Sequence, residues 1–211
     1  MSRPGRPRSE QAEQAIIEAT LQLLSEAGMH SLSIEAVAAR AGVAKTTVYR
    51  RWEGKDELVL DALSRFKGPV QTPPGDSVRG DLLYLLTHIR DQWSHGRHGR
   101  LMHQLSVEGW DRPELYVEFR DRLIRPRRRV IRDVLQRGVA EGLIRPEVDL
   151  AAVHDLLVAP ILAAGFTHQK LPTRARLELY LDIVLAGVAA GPDARSTAQH
   201  ADPPSIASAD R

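Results

Sequence analysis

From Ser33 to Leu58 the chain reads SIEAVAARAGVAKTTVYRRWEGKDEL, and this stretch admits few three-dimensional solutions. Ser33 can cap a helix whose apolar positions, Ile34, Val37, Ala38 and Ala41, recur at the spacing of one helical face. Gly42 then supplies a turn, with Val43 packing beneath it. Ala44 to Trp52 forms a second short helix with Val48 and Trp52 turned inward. Lys45, Thr46, Thr47, Tyr49, Arg50 and Arg51 are left on or near the outside. Lys55 opens a further helix through Phe66, packed through Leu58, Val59, Ala62 and Leu63. Two short helices about a glycine, with hydroxyl and basic donors exposed on the second, have the geometry that puts a helix into a DNA major groove.

Charge does not supply such a partner by itself. The net charge is +2 over 211 residues, so affinity for a polyanion must come from a local patch. Cysteine and asparagine are both absent, which excludes disulfides, thiolate catalysis, cysteine-type zinc sites and N-glycosylation acceptors. Apolar stretches are interrupted by charges or prolines well short of ~18 residues, and no apolar run follows the basic N-terminus. A soluble cytoplasmic protein with no membrane partner is expected. The sequence also lacks G-x-S-x-G, a phosphate-cradling glycine loop and H-E-x-x-H, so we expect neither an enzyme nor a bound cofactor.

The fold class expected is all-α with about nine helices, since no strand pattern or internal repeat stands out. Residues 1–8 combine Pro, Gly and Arg3, Arg6 and Arg8, the composition of a flexible basic arm. Residues 9–54 form a three-helix unit whose first helix starts on a Ser9 cap and ends at Gly28, before the Ser33 helix. Such a unit is too small to be stable alone and must lean on the Lys55 helix. Residues 55–191 form a helical body, and residues 192–211 a disordered polar tail. In the body, helices are expected from Val78 to Trp93, from Arg100 to Val107, and from Asp111 to Glu141 with a kink or break at Pro126. Two more run from Leu150 to Gln169 and from Thr173 to Gly191, apolar on more than one side. That excess apolar surface fits a two-fold homodimer interface carrying Leu157, Ile161, Leu177, Leu181, Val184 and Val188.

AGV at the turn, T-x-Y in the next helix and K-[DE]-E-L opening the fourth closely resemble the N-terminal domain of TetR-family transcriptional repressors. The close match spans roughly residues 10 to 65. Arg125 to Ile131 (RPRRRVI) and Leu156 to Leu162 (LLVAPIL) are similar to one ligand-domain subgroup of that family. The resemblance implies a homodimer that binds a palindromic operator and is released by a small-molecule effector. It also implies that Thr47, Tyr49 and Lys55 meet the DNA backbone or bases, and that Lys45 and Thr46 read base edges. Arg6, Arg8, Ser33 and Arg50 complete the expected double-stranded DNA interface. Arg51 reads equally as a DNA contact or a solvated side chain. Ala44 stands where the family commonly has Ser, and Trp52 where it commonly has Phe.

For the effector pocket, the large side chains available are Tyr84, His88, Trp93, Met102, Trp110, Tyr116 and Phe119, although taken singly each reads better as ordinary core packing. His88, His95, His98 and His103 could be weighed as metal ligands, but a scattered surface set fits better and no metal is expected. The seven arginines from Arg120 to Arg132 read as the solvated face of an amphipathic helix rather than a second nucleic-acid surface. An architectural DNA-binding protein is the main rival reading, though it would not need so long a helical body.

Overall fold

The structure is a computed structural model that describes residues 6–94, 99, 101–102, 112–167 and 169–190, without the side chains of residues 6–8. Its helices are α1 (Arg6–Ser31), α2 (Ile34–Ala41), α3 (Lys45–Tyr49), α4 (Lys55–Lys67), α5 (Val78–Ser94), α6 (Pro113–Phe119), α7 (Arg125–Ala140), α8 (Leu150–Phe166) and α9 (Arg174–Val188). No strand occurs among the described residues; one isolated antiparallel bridge joins Ile144 to Ala189. The all-α expectation holds. Residues 95–98, most of the expected sixth helix and the C-terminal tail lie outside the described residues.

α1 packs on α2 and α4, while α5 is the centre of the body, touching α7, α8 and α9. The dependence of the small N-terminal unit on α4 is visible in burial. Leu58, Val59, Ala62 and Leu63 are all fully buried at 0% exposure, so removing α4 would uncover the base of the unit.

Three boundaries differ from expectation for local reasons. α1 begins at Arg6, ahead of Ser9, and the Ser9 hydroxyl is committed elsewhere rather than capping. Gly28 interrupts α1 at φ 72°, a left-handed-side geometry suited to glycine, and a last turn continues to Ser31. The discontinuity near Pro126 is a π-helical turn over Arg120–Ile124, not a sharp kink. The Arg125 N–H donates to Arg120 O, five residues back. Pro126 lacks an N–H and would crowd the Arg122 carbonyl, and the widened turn makes room for it.

The expected dimer residues need correction. Leu157, Ile161, Leu177 and Leu181 are 0–1% exposed inside the protomer's own core, and Val184 and Val188 are half-buried. The outward apolar face is instead Leu156, Leu179 and Ile183, at 62%, 46% and 60% exposure. Ala152, Ala159, Ala163, Ala186 and Gly187 continue it with small exposed residues. Both helices are apolar on two sides, so composition shows the excess without showing which side the protomer uses.

Candidate nucleic-acid interface and the cavity behind it

Ser33 caps α2 as expected: its Oγ accepts from Ala36 N at 3.1 Å. That hydroxyl is therefore occupied in the role of a cap. Gly42 closes α2 in the left-handed region at φ 66°, ψ 33°, and its N–H bonds Ala38 O and Ala39 O. Nothing lies within 4 Å of a Cβ built there, so conformation rather than space requires glycine. Val43 N then donates to Ala38 O at 3.0 Å, locking the turn between α2 and α3.

α3 is a single five-residue helix with no side-chain cap at Ala44, in keeping with the loss of the usual Ser hydroxyl. So short a helix has little macrodipole, and its reach toward DNA rests on side chains. Lys45, Thr46, Tyr49 and Arg50 are exposed, Tyr49 at 54%, whereas Thr47 is half-buried. Lys45 Nζ sits 2.9 Å from Glu35 Oε1, with both side chains more than half exposed. The Lys45 hydrogen bond holds the Glu35 carboxyl below its usual range. An exposed pair of this kind is weak and leaves Lys45 free to exchange Glu35 for DNA.

Beneath α3 runs a chain of charge-assisted bonds that sequence reasoning missed. Trp52 is 4% exposed and its Nε1 donates to Asp61 Oδ2 at 2.9 Å. Asp61 Oδ1 accepts from Arg65 Nε at 3.0 Å, and Arg65 Nη2 reaches Glu13 Oε1 at 2.6 Å. Glu13 Oε2 accepts from Arg51 Nε at 3.0 Å, and Arg51 Nη2 donates to Ser9 O at 2.8 Å. Hydrogen bonding from Arg65 is the main cause that keeps Glu13 ionised below its ordinary range. Arg51 is thus not a freely solvated side chain; it ties the end of α3 to α1. The network fixes the tilt of the exposed helix from below.

Lys55, the first residue of α4, places its Nζ 3.1 Å from Met29 O, so it clamps α4 to the end of α1. Next to it, Asp56 receives a two-pronged contact from Arg112, with Nη1 to Oδ1 at 2.9 Å and Nη2 to Oδ2 at 2.5 Å. Arg112 is the residue before α6. The start of α4 is therefore tied both to the DNA-side unit and to the body. The side chains of Arg6 and Arg8 lie outside the described residues.

Behind this unit, a cavity of about 280 Å³ opens between α4, α5, α6, α7 and α8 and the π turn. Trp93, Met102, Tyr116 and Phe119, four of the residues expected in a pocket, line it together with Phe166 and Lys67. Tyr84 does not line it: it is 40% exposed and donates to Gln71 Oε1. His88 is also outside, half-buried on α5 and paired with Gln92 Nε2 at 3.0 Å. Burial is the main cause that lowers the His88 pKa. Trp110, His95, His98 and His103 lie outside the described residues. Among the described residues no group of three or more metal-ligating side chains gathers.

The cavity wall depends on one close approach. Trp93 stacks edge-on against Phe166, ring centroids 4.9 Å apart, and passes directly over Gly165. A Cβ on Gly165 would lie 2.1 Å from Trp93 Cε3. Lys67 could have been found from periodicity, since it continues the Leu60 and Leu63 stripe on the buried side of α4. Arg127 could not, because it sits in a run of arginines that otherwise faces solvent.

An all-helical chain with a capped helix-turn-helix held on an ordered base, joined to a larger helical body, defines a DNA-binding regulator. The comparisons agree and give the family. Residues 16–62 match the bacterial regulatory proteins of the tetR family, and residues 72–184 match the tetracyclin repressor-like C-terminal domain. The HTH-type transcriptional regulator YdeS of Bacillus subtilis is 30% identical over 161 residues, covering 76% of this chain and 81% of that protein. An HTH-type regulator of Mycobacterium bovis is 32% identical over 174 residues, 82% of this chain and 85% of its own. The crystal structure of a TetR-family regulator from Marinobacter aquaeolei shares the fold at a TM-score of 0.64 and 21% identity, over 89% of this chain and all of that one. This chain belongs to the TetR family of helix-turn-helix transcriptional regulators. It is not an enzyme. No helix among the described residues is long and apolar enough to cross a membrane.

Proposed function

We propose that the protein is a cytoplasmic, homodimeric repressor that binds a palindromic operator and leaves it when a small molecule occupies the cavity. The observation that carries this reading is the double attachment of α4. Its first turn holds the DNA-side unit through Lys55 and the body through Asp56 and Arg112, and its last residue, Lys67, lines the cavity. A molecule that prefers one position of α4 shifts the orientation of α3, and only a difference in affinity between the two positions can do so. Couplings of roughly 1–3 kcal/mol are typical for such linkage.

Lys45, Thr46, Thr47, Tyr49, Arg50 and Lys55 form the DNA face, with Arg6 and Arg8 as a basic arm beside it. The tetracyclin repressor-like character of the C-terminal domain supports release by an effector rather than recruitment. Dimerisation is assigned to the exposed Leu156, Leu179 and Ile183 face of α8 and α9, which would form a four-helix contact about a two-fold axis. Two α3 helices about 34–36 Å apart then meet successive major grooves.

Selection of duplexes from a random pool tests the reading, followed by sedimentation of the protein on the selected site. A palindrome bound by two chains is expected. The double variant Leu156→Glu, Ile183→Glu should sediment as a monomer that still folds and lose most operator affinity. An asymmetric site bound by one chain, or a dimer that survives both glutamates, would contradict the assignment.

A further inference from the structure

Lys67 stands in an unusual place for an ammonium group. It is 8% exposed, in the last turn of α4, and lines the cavity. Among the described residues no hydrogen-bond or ion-pair partner is found for its Nζ. The other polar groups on the wall are Gln92, Tyr116, Arg127, Arg128 and His154, and no carboxylate lines the cavity among the described residues. The rest of the wall is aromatic and aliphatic. Arg127 is itself half-buried, donating to Leu123 O at 2.5 Å and to Gly68 O at 2.6 Å, just past Lys67. A lysine in a final turn suits the helix dipole, but an exposed ammonium would serve that purpose equally well. Burying an unpaired charge is costly, and its like-charged neighbour Arg127 adds to the cost. Desolvation, then Arg127, lowers the Lys67 pKa to about 8.

We infer that the cavity takes an apolar molecule bearing one anionic group of the carboxylate class, with the anion seated between Lys67 and Arg127 and the apolar body against Trp93, Phe119 and Phe166. This rests on the effector-pocket reading above and names the chemical class of the effector. The anion supplies the partner that the ammonium lacks. It also competes for Arg127, whose bond to Gly68 O ties the end of α4 to α7, so binding acts on the helix that carries the DNA-side clamp. The exposed Arg120, Arg125, Arg129 and Arg132 border a cleft that shares Tyr116, Ile124, Arg128 and His154 with the cavity, and they attract anions toward its mouth.

Two fluorescent probes with one skeleton test the assignment on the intact protein: anilinonaphthalene sulfonate, which is anionic, and neutral N-phenylnaphthylamine. The wild type should bind the sulfonate at least ~10-fold more tightly, the worth of a charge-assisted pair in a dry site. Lys67→Met should remove that preference and leave the neutral probe unchanged, while Lys67→Arg retains it. Leu162→Trp, which fills the cavity, should abolish binding of both probes. If neither probe binds, or if Leu162→Trp changes nothing, the cavity reading itself fails. If both probes bind alike to wild type and to Lys67→Met, the cavity stands and the anion assignment is overturned. The two wild-type affinities decide the matter even if Lys67→Met does not fold.

Discussion

The DNA-side unit and the body treat buried charge in opposite ways. Under α3, every charge in the chain from Arg51 through Glu13 and Arg65 to Asp61 has an opposite partner, and the chain ends on the Trp52 indole. In the body, Lys67 is buried beside another cation with no anion among the described residues near it. The first arrangement pairs each charge with an opposite one without a ligand, leaving only Arg51 Nη1 buried without a hydrogen-bond partner, and makes a firm platform. The second is incomplete and leaves binding energy to be realised when an anion arrives. Recognition of DNA calls for the former, because α3 must keep its tilt. Control calls for the latter, because a switch needs two states that a ligand can tell apart.

Removing the anchor on the rigid side should have the largest effect. Trp52→Ala takes away a buried indole and the donor to Asp61 Oδ2, while Arg65 still holds Oδ1, at a cost of about 3–5 kcal/mol. Circular dichroism melts should show the loss as a sharply lower midpoint, with operator binding lost before the body unfolds. A small shift would mean that the platform does not depend on its network.

On the incomplete side, substitution should stabilise. Lys67→Met should raise stability of the ligand-free protein by about 1–3 kcal/mol at pH 7, because it removes an unpaired buried charge. The sign follows from linkage: the folded pKa of about 8 lies below the ordinary 10.5, so the unfolded chain binds the extra proton between those values. Wild-type stability should therefore gain as pH rises from about 8 toward 10.5, and the advantage of methionine should shrink over the same window. Urea unfolding of both proteins across that range reads the difference directly. A pH-independent gap would show that the ammonium is not buried in its charged form.

Smaller effects separate the outward side chains. Lys45→Ala should relax preference at one base position by about 1–3 kcal/mol, whereas Tyr49→Phe should weaken all sequences alike. Anisotropy titrations on single-mismatch operators distinguish the two. The smallest expected change belongs to Lys55→Ala, which should make the salt dependence shallower by ~1 in slope if Lys55 exchanges Met29 O for phosphate on binding. An unchanged slope would leave Lys55 as an internal clamp.

These two regions also differ in how far they could be read without coordinates. Ser33, Gly42, Val48 and Trp52 lie within a few turns of one another, so their roles follow from spacing alone. Trp93, Tyr116 and Phe119 were identifiable as large apolar groups in the right part of the body, and the cavity does gather them. Tyr84 lies away from this cavity because α5 presents it to Gln71 and solvent, a matter of helix rotation that composition does not show. Helix rotation likewise decides which apolar side of α8 and α9 faces out: Leu157 and Leu181 turn inward while Leu156 and Ile183 are exposed. The Arg112–Asp56 tie and the Arg127–Gly68 bond join residues more than fifty positions apart. No local pattern encodes such pairs.

On the proposed mechanism, control of DNA binding turns on two α3 helices held at a fixed separation by the body. Because the chain has no cysteine, an Ala39→Cys variant can carry one spin label per protomer on the exposed side of α2. Dipolar distance measurement on the operator complex should give a single narrow interprotomer distance, which broadens or shifts when anilinonaphthalene sulfonate fills the cavity and does not move in Lys67→Met. A missing interprotomer coupling, or one distance unchanged by the sulfonate in the wild type, would contradict it.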